Sequence, residues 1–352
     1  RSSSLFLKPN AMYNTGVRVL FDHPVPFLLA HGGLQVQIEQ TRAALQTLGV
    51  QCDFLRWWDD RQPVDLIHYF GRMPANLILF ARQKGVKVVL ADLLTEQGAR
   101  SLAQLKMQKW AIRALQRALP AKVLARYHWT AYREADACVA LTSWEGHLLT
   151  ELFGASPDRI HVVPNGVEEV FLQSIPQPRG PWLVCTATIT ERKRVLELAM
   201  AAVAARTPLW VIGRPYAESD PYARQFVNLA RQHFQLLRYE GAVTDRSQLA
   251  RIYREARGFV LLSARESLSL SALEAAACGC PLLLSDLPWA RSVFKGHAAY
   301  CPVTRSPAVT ASALRRFYKA APQRPPPPRP ASWSEIARQL LTVYETVLNT
   351  SR

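Results

Sequence analysis

Two doubly wound α/β domains facing each other across a cleft are the architecture this sequence predicts. Three observations carry that expectation. The chain has 352 residues, too many for one ordinary core and suited to about two domains of roughly 150 residues each. In both halves short β-rich runs alternate with amphipathic helical stretches, the pattern of parallel sheets covered on both faces. Between the halves lies Gln173-Ser-Ile-Pro-Gln-Pro-Arg-Gly-Pro181, whose three prolines and one glycine suit an interdomain linker.

Taken in order, residues 1–12 read as a leader outside the fold, with a short apolar patch but no long h-region and no small-residue cleavage pattern. Val17-Arg-Val-Leu-Phe21 is the first strand. A Pro- and Gly-rich loop holding His31 follows, then an amphipathic helix from Gln35 to Leu48 with Gly49 as its C-terminal stop. Further strands are expected at residues 66–70, 86–90, 137–141 and 160–163. The second half repeats the rhythm, with strands at 182–185, 209–212, 258–262 and 281–285 and a helix from Arg194 to Ala205. Gln323-Arg-Pro-Pro-Pro-Pro-Arg-Pro330 is a stiff spacer. A last helix begins after it, capped by Ser332 or Ser334, with Ile336, Leu340, Val343 and Val347 as its apolar stripe. The expected organisation is therefore a first domain over residues 13–173, a linker over 174–181, a second domain over 182–330 and a terminal helix over 331–352.

Hydrophobic residues make up 49% of the chain, enough for two interiors, yet no apolar run reaches the ~20 residues that would span a bilayer. The six cysteines show no C-x-x-C and no finger spacing, which reads as buried free thiols in a reducing cytoplasm. A formal charge of +16 asks for a polyanionic partner: nucleic acid, an anionic membrane face or a phosphorylated substrate.

The most informative stretch runs from Ala264 to Ser285. A strand ends near Ser263, a polar loop holds Glu266, a helix from Ser271 to Cys278 carries Glu274 and stops at Gly279, and Pro281 opens the next strand. A helix N-terminus after a strand presents free N–H groups and a positive dipole end, which suit a diphosphate. A carboxylate with paired acceptor oxygens matches a vicinal diol, so Glu274 suits a ribose and Glu266 a sugar. By spacing alone, two solvated glutamates remain the simpler explanation.

E-x7-E after a strand, followed by Glu274-Ala-Ala-Ala-Cys-Gly-Cys-Pro281, resembles the donor-site signature of retaining glycosyltransferase family 4, of GT-B fold. Other stretches agree and arrive in order: Gly32-Gly33 as the glycine loop, Glu134 to Ser143 as an "ADavvavS" strand, Ile160-His-Val-Val-Pro-Asn-Gly-Val167 as the "PNGV" strand end, Thr190-Glu-Arg-Lys193 as the basic turn, Glu240-Gly-Ala-Val243, and Ser332-Trp-Ser opening the terminal helix. The resemblance covers nearly the whole chain from Val17. It implies a metal-independent hexosyltransferase that needs no cofactor beyond a UDP-, GDP- or ADP-linked sugar as donor. It also implies roles. Lys193 and Arg192 would neutralise the leaving diphosphate. Gly32 and Gly33 would let backbone approach the phosphates. Glu266 would hold the donor sugar and Glu274 the ribose. Leu268, Ser269, Leu270 and Ser271 would form the phosphate-facing loop and helix start, and Gly213, Gly241 and Val243 would flank the base. The terminal helix would fold back on the first, acceptor-side domain.

The sequence departs from that family in three places. Thr188 and Ala187 stand where an arginine is usual, leaving phosphate neutralisation to Lys193 and Arg192, with Arg194 as a helper. Ser269 stands where a glycine is usual. The strand end Val88-Val-Leu-Ala-Asp-Leu-Leu94 offers Ala91 and Asp92 instead of a histidine, and Asp92 reads either as the group that polarises an acceptor hydroxyl or as an ordinary strand-end aspartate. These departures motivate a second reading, a non-catalytic sugar- or nucleotide-binding protein on a degenerate GT-B scaffold. No D-x-D triplet occurs in the chain.

Between Arg100 and Arg133 lie Lys106, Lys109, Arg113, Arg117, Lys122 and Arg126 and no acidic residue. At about 100° per residue, Lys106, Lys109, Arg113 and Arg117 fall in one stripe with Trp110 alongside. Such a stripe suits the headgroups of an anionic membrane, and a solvated basic face that keeps the protein soluble is the alternative; the absence of acidic residues over the span favours the membrane. It points to a cytoplasmic enzyme peripheral on the inner face of the membrane, acting on a glycolipid, lipopolysaccharide or polysaccharide precursor. No nucleic-acid motif accompanies the charge.

Overall fold

A computed structural model describes residues 16–28, 32–304 and 306–350. The expected leader and His31 lie outside the described residues. Twelve strands form two parallel sheets of six. The first contains β1 (Arg18–Asp22), β2 (Gln51–Phe54), β3 (Leu66–Tyr69), β4 (Lys87–Leu90), β5 (Ala137–Ala140) and β6 (Ile160–Val162) in the order β2-β1-β3-β4-β5-β6. The second contains β7 (Leu183–Thr186), β8 (Leu209–Ile212), β9 (Leu237–Tyr239), β10 (Gly258–Leu261), β11 (Leu282–Ser285) and β12 (Ala298–Cys301) in the order β12-β11-β10-β7-β8-β9. Strand order reverses beside β1 and β3 in the first sheet and beside β7 and β10 in the second. Those switch points are where open parallel sheets bind ligands, at the carboxyl ends of the strands.

Three strands escaped the sequence reading: β2, β9 and β12. All three are sheet edges. An edge strand buries less of itself, so β2 (Gln-Cys-Asp-Phe) carries a polar, partly exposed pattern rather than the apolar run of a central strand. The central β4, β5, β10 and β11 are buried at every position. Among the described cysteines all six are free, and burial pushes the Cys52, Cys138, Cys185, Cys278 and Cys280 thiols up to about 12, which keeps them unreactive.

The terminal helix spans Trp333–Asn349 and opens with a capping box between Ser332 and Glu335. Its stripe of Ile336, Leu340, Val343 and Val347 is buried with Val19, Phe21 and Ile38 of the first domain. The Tyr344 hydroxyl meets His68 Nδ1 of β3 at 2.6 Å. Gly166 explains the glycine of the Pro-Asn-Gly turn: a Cβ there would sit 2.6 Å from the Trp333 backbone nitrogen, where the helix returns across the domains. The main-chain bonds Val167 N–H to Ala331 O (3.0 Å) and Trp333 N–H to Val167 O (3.2 Å) fix that crossing.

Candidate active site

The two sets of strand ends face one cleft of about 680 Å³, a volume suited to a small ligand. The first domain contributes Gly32 and Gly33 after β1, Leu93, Thr95 and Glu96 after β4, and Asn165 after β6. The second contributes Thr186 to Thr188, Arg192 and Lys193 after β7, Gly213 after β8, and Glu266 to Ser271 with Glu274 after β10.

Glu266 is 8% exposed. Lys193 Nζ donates to its Oε2, Arg192 lies 3.6 Å from Oε1, and the Ser263 hydroxyl donates to Oε2 at 3.4 Å. Burial pushes the carboxyl up, but Lys193, Arg192 and Ser263 together outweigh it and hold it below its ordinary value. Glu266 is therefore an anion seated on two cations. The cations come from a single 3₁₀ turn, Glu191–Lys193, capped by the Thr190 hydroxyl. Arg194 adopts a left-handed conformation (φ 53°) and sends its guanidinium to the Thr304 carbonyl at 2.5 Å. It is thus turned away from the pair it was expected to assist.

The helix Leu270–Ala277 starts at Ser269, whose hydroxyl accepts from Ala272 N–H at 3.3 Å and meets Ser271 Oγ at 3.1 Å. Serine at this position is thus an N-cap. Leu270 packs on the core of the first domain and Leu268 on that of the second, so this loop is clamped between the two. Glu274 is 7% exposed, and its partners were not legible in the sequence. Arg246 donates to Oε1 and also pairs with Glu168 at 2.8 Å, while the Tyr253 hydroxyl donates to Oε2 at 3.3 Å. Burial pushes the Glu274 carboxyl above its ordinary value in spite of Arg246. A diol arriving at Glu274 would share its oxygens with Arg246.

Gly32, rather than Gly33, is the position that demands glycine. Its φ is 142°, whereas a Cβ on Gly33 would meet only Leu270 Cδ1 at an ordinary 3.8 Å. Gly213 is as constrained: φ is 152° and a Cβ would lie 1.9 Å from the Ala187 carbonyl oxygen. The Gly241–Val243 stretch reaches the cleft edge beside Gly213. Ala242 between them lines the cleft, Val243 packs into the second core, and the Gly241 carbonyl accepts from Gly213 N–H at 3.0 Å.

Asp92 is not among the described residues that line the cleft, although Leu93, Thr95 and Glu96 next to it are. Arg72 lies 3.4 Å from its Oδ2 and the Tyr132 hydroxyl donates to the same oxygen, so that oxygen is engaged within the first domain. The basic stripe lies on the helix Leu102–Ala118, which buries Leu105 and Ile112 and exposes Lys106, Arg113 and Arg117 with Trp110 at 71%. Lys109 differs from its neighbours: it is paired with Glu151.

Glu145 supports the site without lining the cleft; its only mark in the sequence is the helix-start pattern Thr142-Ser-Trp-Glu145. Glu145 is 1% exposed at the start of the helix Ser143–Phe153. It accepts from Leu141 N–H (2.9 Å), Leu94 N–H (3.3 Å) and, across the cleft, the Ser267 hydroxyl beside Glu266. A second tie, Arg265 to Glu96 at 2.5 Å, crosses the same gap at the surface.

Two facing Rossmann-like sheets, a returning terminal helix and a cleft at both switch points define the GT-B class. Two family models match the chain, a glycosyl transferase 4-like domain over residues 16–166 and glycosyl transferases group 1 over residues 180–320. The chain belongs to this group of family-4-like GT-B glycosyltransferases. It is 31% identical over 180 residues to a D-inositol 3-phosphate glycosyltransferase of Jonesia denitrificans, covering 44% of this chain and 42% of that protein. It is 31% identical over 241 residues to the protein of that name in Nocardiopsis dassonvillei, covering 60% and 56%. The chain thus spans about half the length of the curated relatives it matches. Its fold is similar to sucrose-phosphate synthase of Thermosynechococcus elongatus, with TM-score 0.68 and 17% identity over 95% of this chain and all of that one. It is also similar to the Anabaena protein HepE, solved in complex with UDP, with TM-score 0.62 and 12% identity over 94% of this chain and 100% of that one.

Proposed function

We propose that the chain is a retaining glycosyltransferase that moves a hexose from a nucleotide sugar to a hydroxyl of a glycolipid, lipopolysaccharide or polysaccharide precursor. The observation that carries this reading is Glu266 seated on Lys193 and Arg192 inside the cleft, beside the N-terminus of the helix Leu270–Ala277. A diphosphate placed there meets two cations and the helix's free N–H groups, while Glu266 accepts from the sugar hydroxyls. Glu274 accepts from the ribose, with Arg246 fixing the carboxylate's orientation. HepE, which shares the fold, was solved with UDP, which supports a nucleotide-linked donor.

In the reaction the bond from the anomeric carbon to the phosphate oxygen breaks. The acceptor oxygen bonds to that carbon on the same face, and its proton passes to the departing diphosphate. Lys193 and Arg192 stabilise the negative charge that develops on the leaving group, so this scheme needs neither a protein nucleophile nor a catalytic metal.

The helix Leu102–Ala118 supports a membrane-linked acceptor. With Lys109 engaged by Glu151, the charge offered outward comes from Lys106, Arg113 and Arg117. At about 1 kcal/mol per basic residue near an anionic surface, the three contribute about 3 kcal/mol. Among the described residues no helix is long and apolar enough to cross a membrane, so attachment through this face would be peripheral.

The test is a thermal-shift screen against UDP-, GDP- and ADP-sugars followed by a turnover assay with the stabilising donor. A ligand at a hundred times its Kd stabilises by about 2.7 kcal/mol. Stabilisation with turnover supports the reading. Stabilisation with no turnover would leave a binding protein on a GT-B scaffold, and no stabilisation by any nucleotide sugar would refute both. Salt-sensitive co-sedimentation with anionic vesicles, reduced in Lys106→Glu/Arg113→Glu, checks the membrane face.

A further inference from the structure

Trp57 and Trp58 are 81% and 84% exposed. They stand in the loop that leaves β2, at the carboxyl end of the strand, the end on which the cleft opens. Two neighbouring indoles left in water forgo hydrophobic stabilisation, and an adjacent exposed pair marks a surface that meets a partner.

The loop is braced while the indole faces stay open. The Trp57 side chain lies close enough to Asp22, at the end of β1, to help hold its carboxyl down against burial. Arg56 N–H donates to Gln62 Oε1 and Gln62 Nε2 donates to the Phe54 carbonyl, both at 2.9 Å, and the Arg56 guanidinium pairs with Asp59 at 2.8 Å. An aromatic run then leads from this loop to the cleft. Phe54 meets Phe27 edge-on with ring centres 6.2 Å apart, His23 stacks on Phe27 at 4.3 Å, and Phe27 and Val25 line the cleft itself.

We propose that Trp57 and Trp58 form an outlying acceptor subsite that stacks against pyranose rings of a glycan acceptor, at a distance from the hydroxyl that reacts. The inference rests on the glycosyltransferase reading and names the substrate class of its acceptor side. The C–H face of a pyranose matches an indole face, and its equatorial hydroxyls need both acceptors and donors at the rim. Asp53, Asp59 and Asp60 supply acceptors there, and Arg56 and Arg61 supply donors. A membrane anchor is the rival use of exposed tryptophan, and the local charge does not favour it. With Arg56 paired to Asp53 and Asp59, and Arg42 over the Phe54 ring, this loop offers anionic lipid no net positive charge, whereas the helix bearing Trp110 is basic and has no acidic residue.

The experiment compares the whole chain with Trp57→Ala/Trp58→Ala and with Trp57→Phe/Trp58→Phe on an array of hexose, heptose and N-acetylhexosamine oligosaccharides. UDP binding by calorimetry and sedimentation with equimolar phosphatidylglycerol–phosphatidylcholine vesicles run in parallel. The expected result is saturable oligosaccharide binding that falls about tenfold or more in the alanine variant and is largely kept in the phenylalanine variant, which retains a π-face, with UDP affinity unchanged. Equal glycan binding by the wild type and the alanine variant, no glycan binding by the wild type, or loss of vesicle binding instead would overturn it. Failure of the glycosyltransferase reading would show separately, as absence of nucleotide binding in every variant.

Discussion

Replacing Glu145 tests whether the two domains are held in register from inside the cleft. Three donors converge on this carboxylate: Leu141 N–H at 2.9 Å, Leu94 N–H at 3.3 Å and the Ser267 hydroxyl. In Glu145→Gln the amide oxygen stays on Leu141, the shorter main-chain bond, and the amide nitrogen turns toward Ser267 and Leu94. The Ser267 hydroxyl can rotate to accept, which leaves Leu94 N–H alone without its partner. One long hydrogen bond lost costs about 1 kcal/mol. Burial already pushes the Glu145 carboxyl above its ordinary value, so the neutral amide offsets part of that. Glu145→Ala strands all three donors at about 1–3 kcal/mol each, so its cost exceeds about 3 kcal/mol. It also releases the loop that carries Glu266. The assay is thermal unfolding together with steady-state kinetics against donor. Glu145→Gln should melt a few degrees lower with near-normal kinetics, as expected for about 1 kcal/mol. Glu145→Ala should melt much lower and lose kcat as well as donor affinity, and Ser267→Ala should show the kinetic loss with little change in melting. If Glu145→Ala matched Glu145→Gln in stability, or Ser267→Ala left kcat untouched, the interdomain tie would have no role in placing Glu266.

Other perturbations are equally specific. Lys193→Ala leaves Glu266 with Arg192 at 3.6 Å as its nearest cation. Turnover should fall about 10²–10³-fold, and the acid limb of the pH–rate profile should move up, because the cation that helps hold this carboxyl down is gone. Gly213→Ala forces a Cβ to within 1.9 Å of the Ala187 carbonyl unless β7 and β8 part. Chemical denaturation should show a loss of about 2–4 kcal/mol, and UDP affinity should drop with it. Burial lowers His68 from 6.5 to about 3. The unfolded chain therefore takes up this proton first, so stability holds above pH 6.5 and falls as pH drops below it, by about 2 kcal/mol at pH 5. His68→Gln should flatten that part of the stability curve; an unchanged slope would place the acid sensitivity elsewhere.

Much of the fold was readable because apolar periodicity is a local property. Central strands such as Leu282–Ser285 are buried on both faces, so most of their positions are apolar, and that shows in a window of a few residues. The edge strands β2, β9 and β12 have less to bury and left a weaker mark. The donor loop was legible for a similar reason. A strand, a short polar turn, an N-capping serine and a helix are consecutive in the chain, so Glu266 and Glu274 fall beside a helix N-terminus whatever the rest does. Gly166 and Gly213 also stood out as glycines, though the atoms that require them, at Trp333 and Ala187, became visible only through space.

The pairings between those elements were not legible, because a hydrogen bond between distant residues leaves no periodic trace in either segment. Ser267 and Glu145 are 122 positions apart and meet only because the two sheets present their carboxyl ends to each other. Arg246 reaches Glu274 from a neighbouring helix, and Tyr132 claims Asp92 from 40 positions away. Lys109 looked equivalent to Lys106 and Arg113 along the helix until Glu151 came beside it. Chain-local burial and turn chemistry thus set which residues face the cleft. Packing of distant segments, mostly within each domain and in part between the two, set which of their charges are already matched, because charge matching depends on distance through space rather than on spacing along the chain.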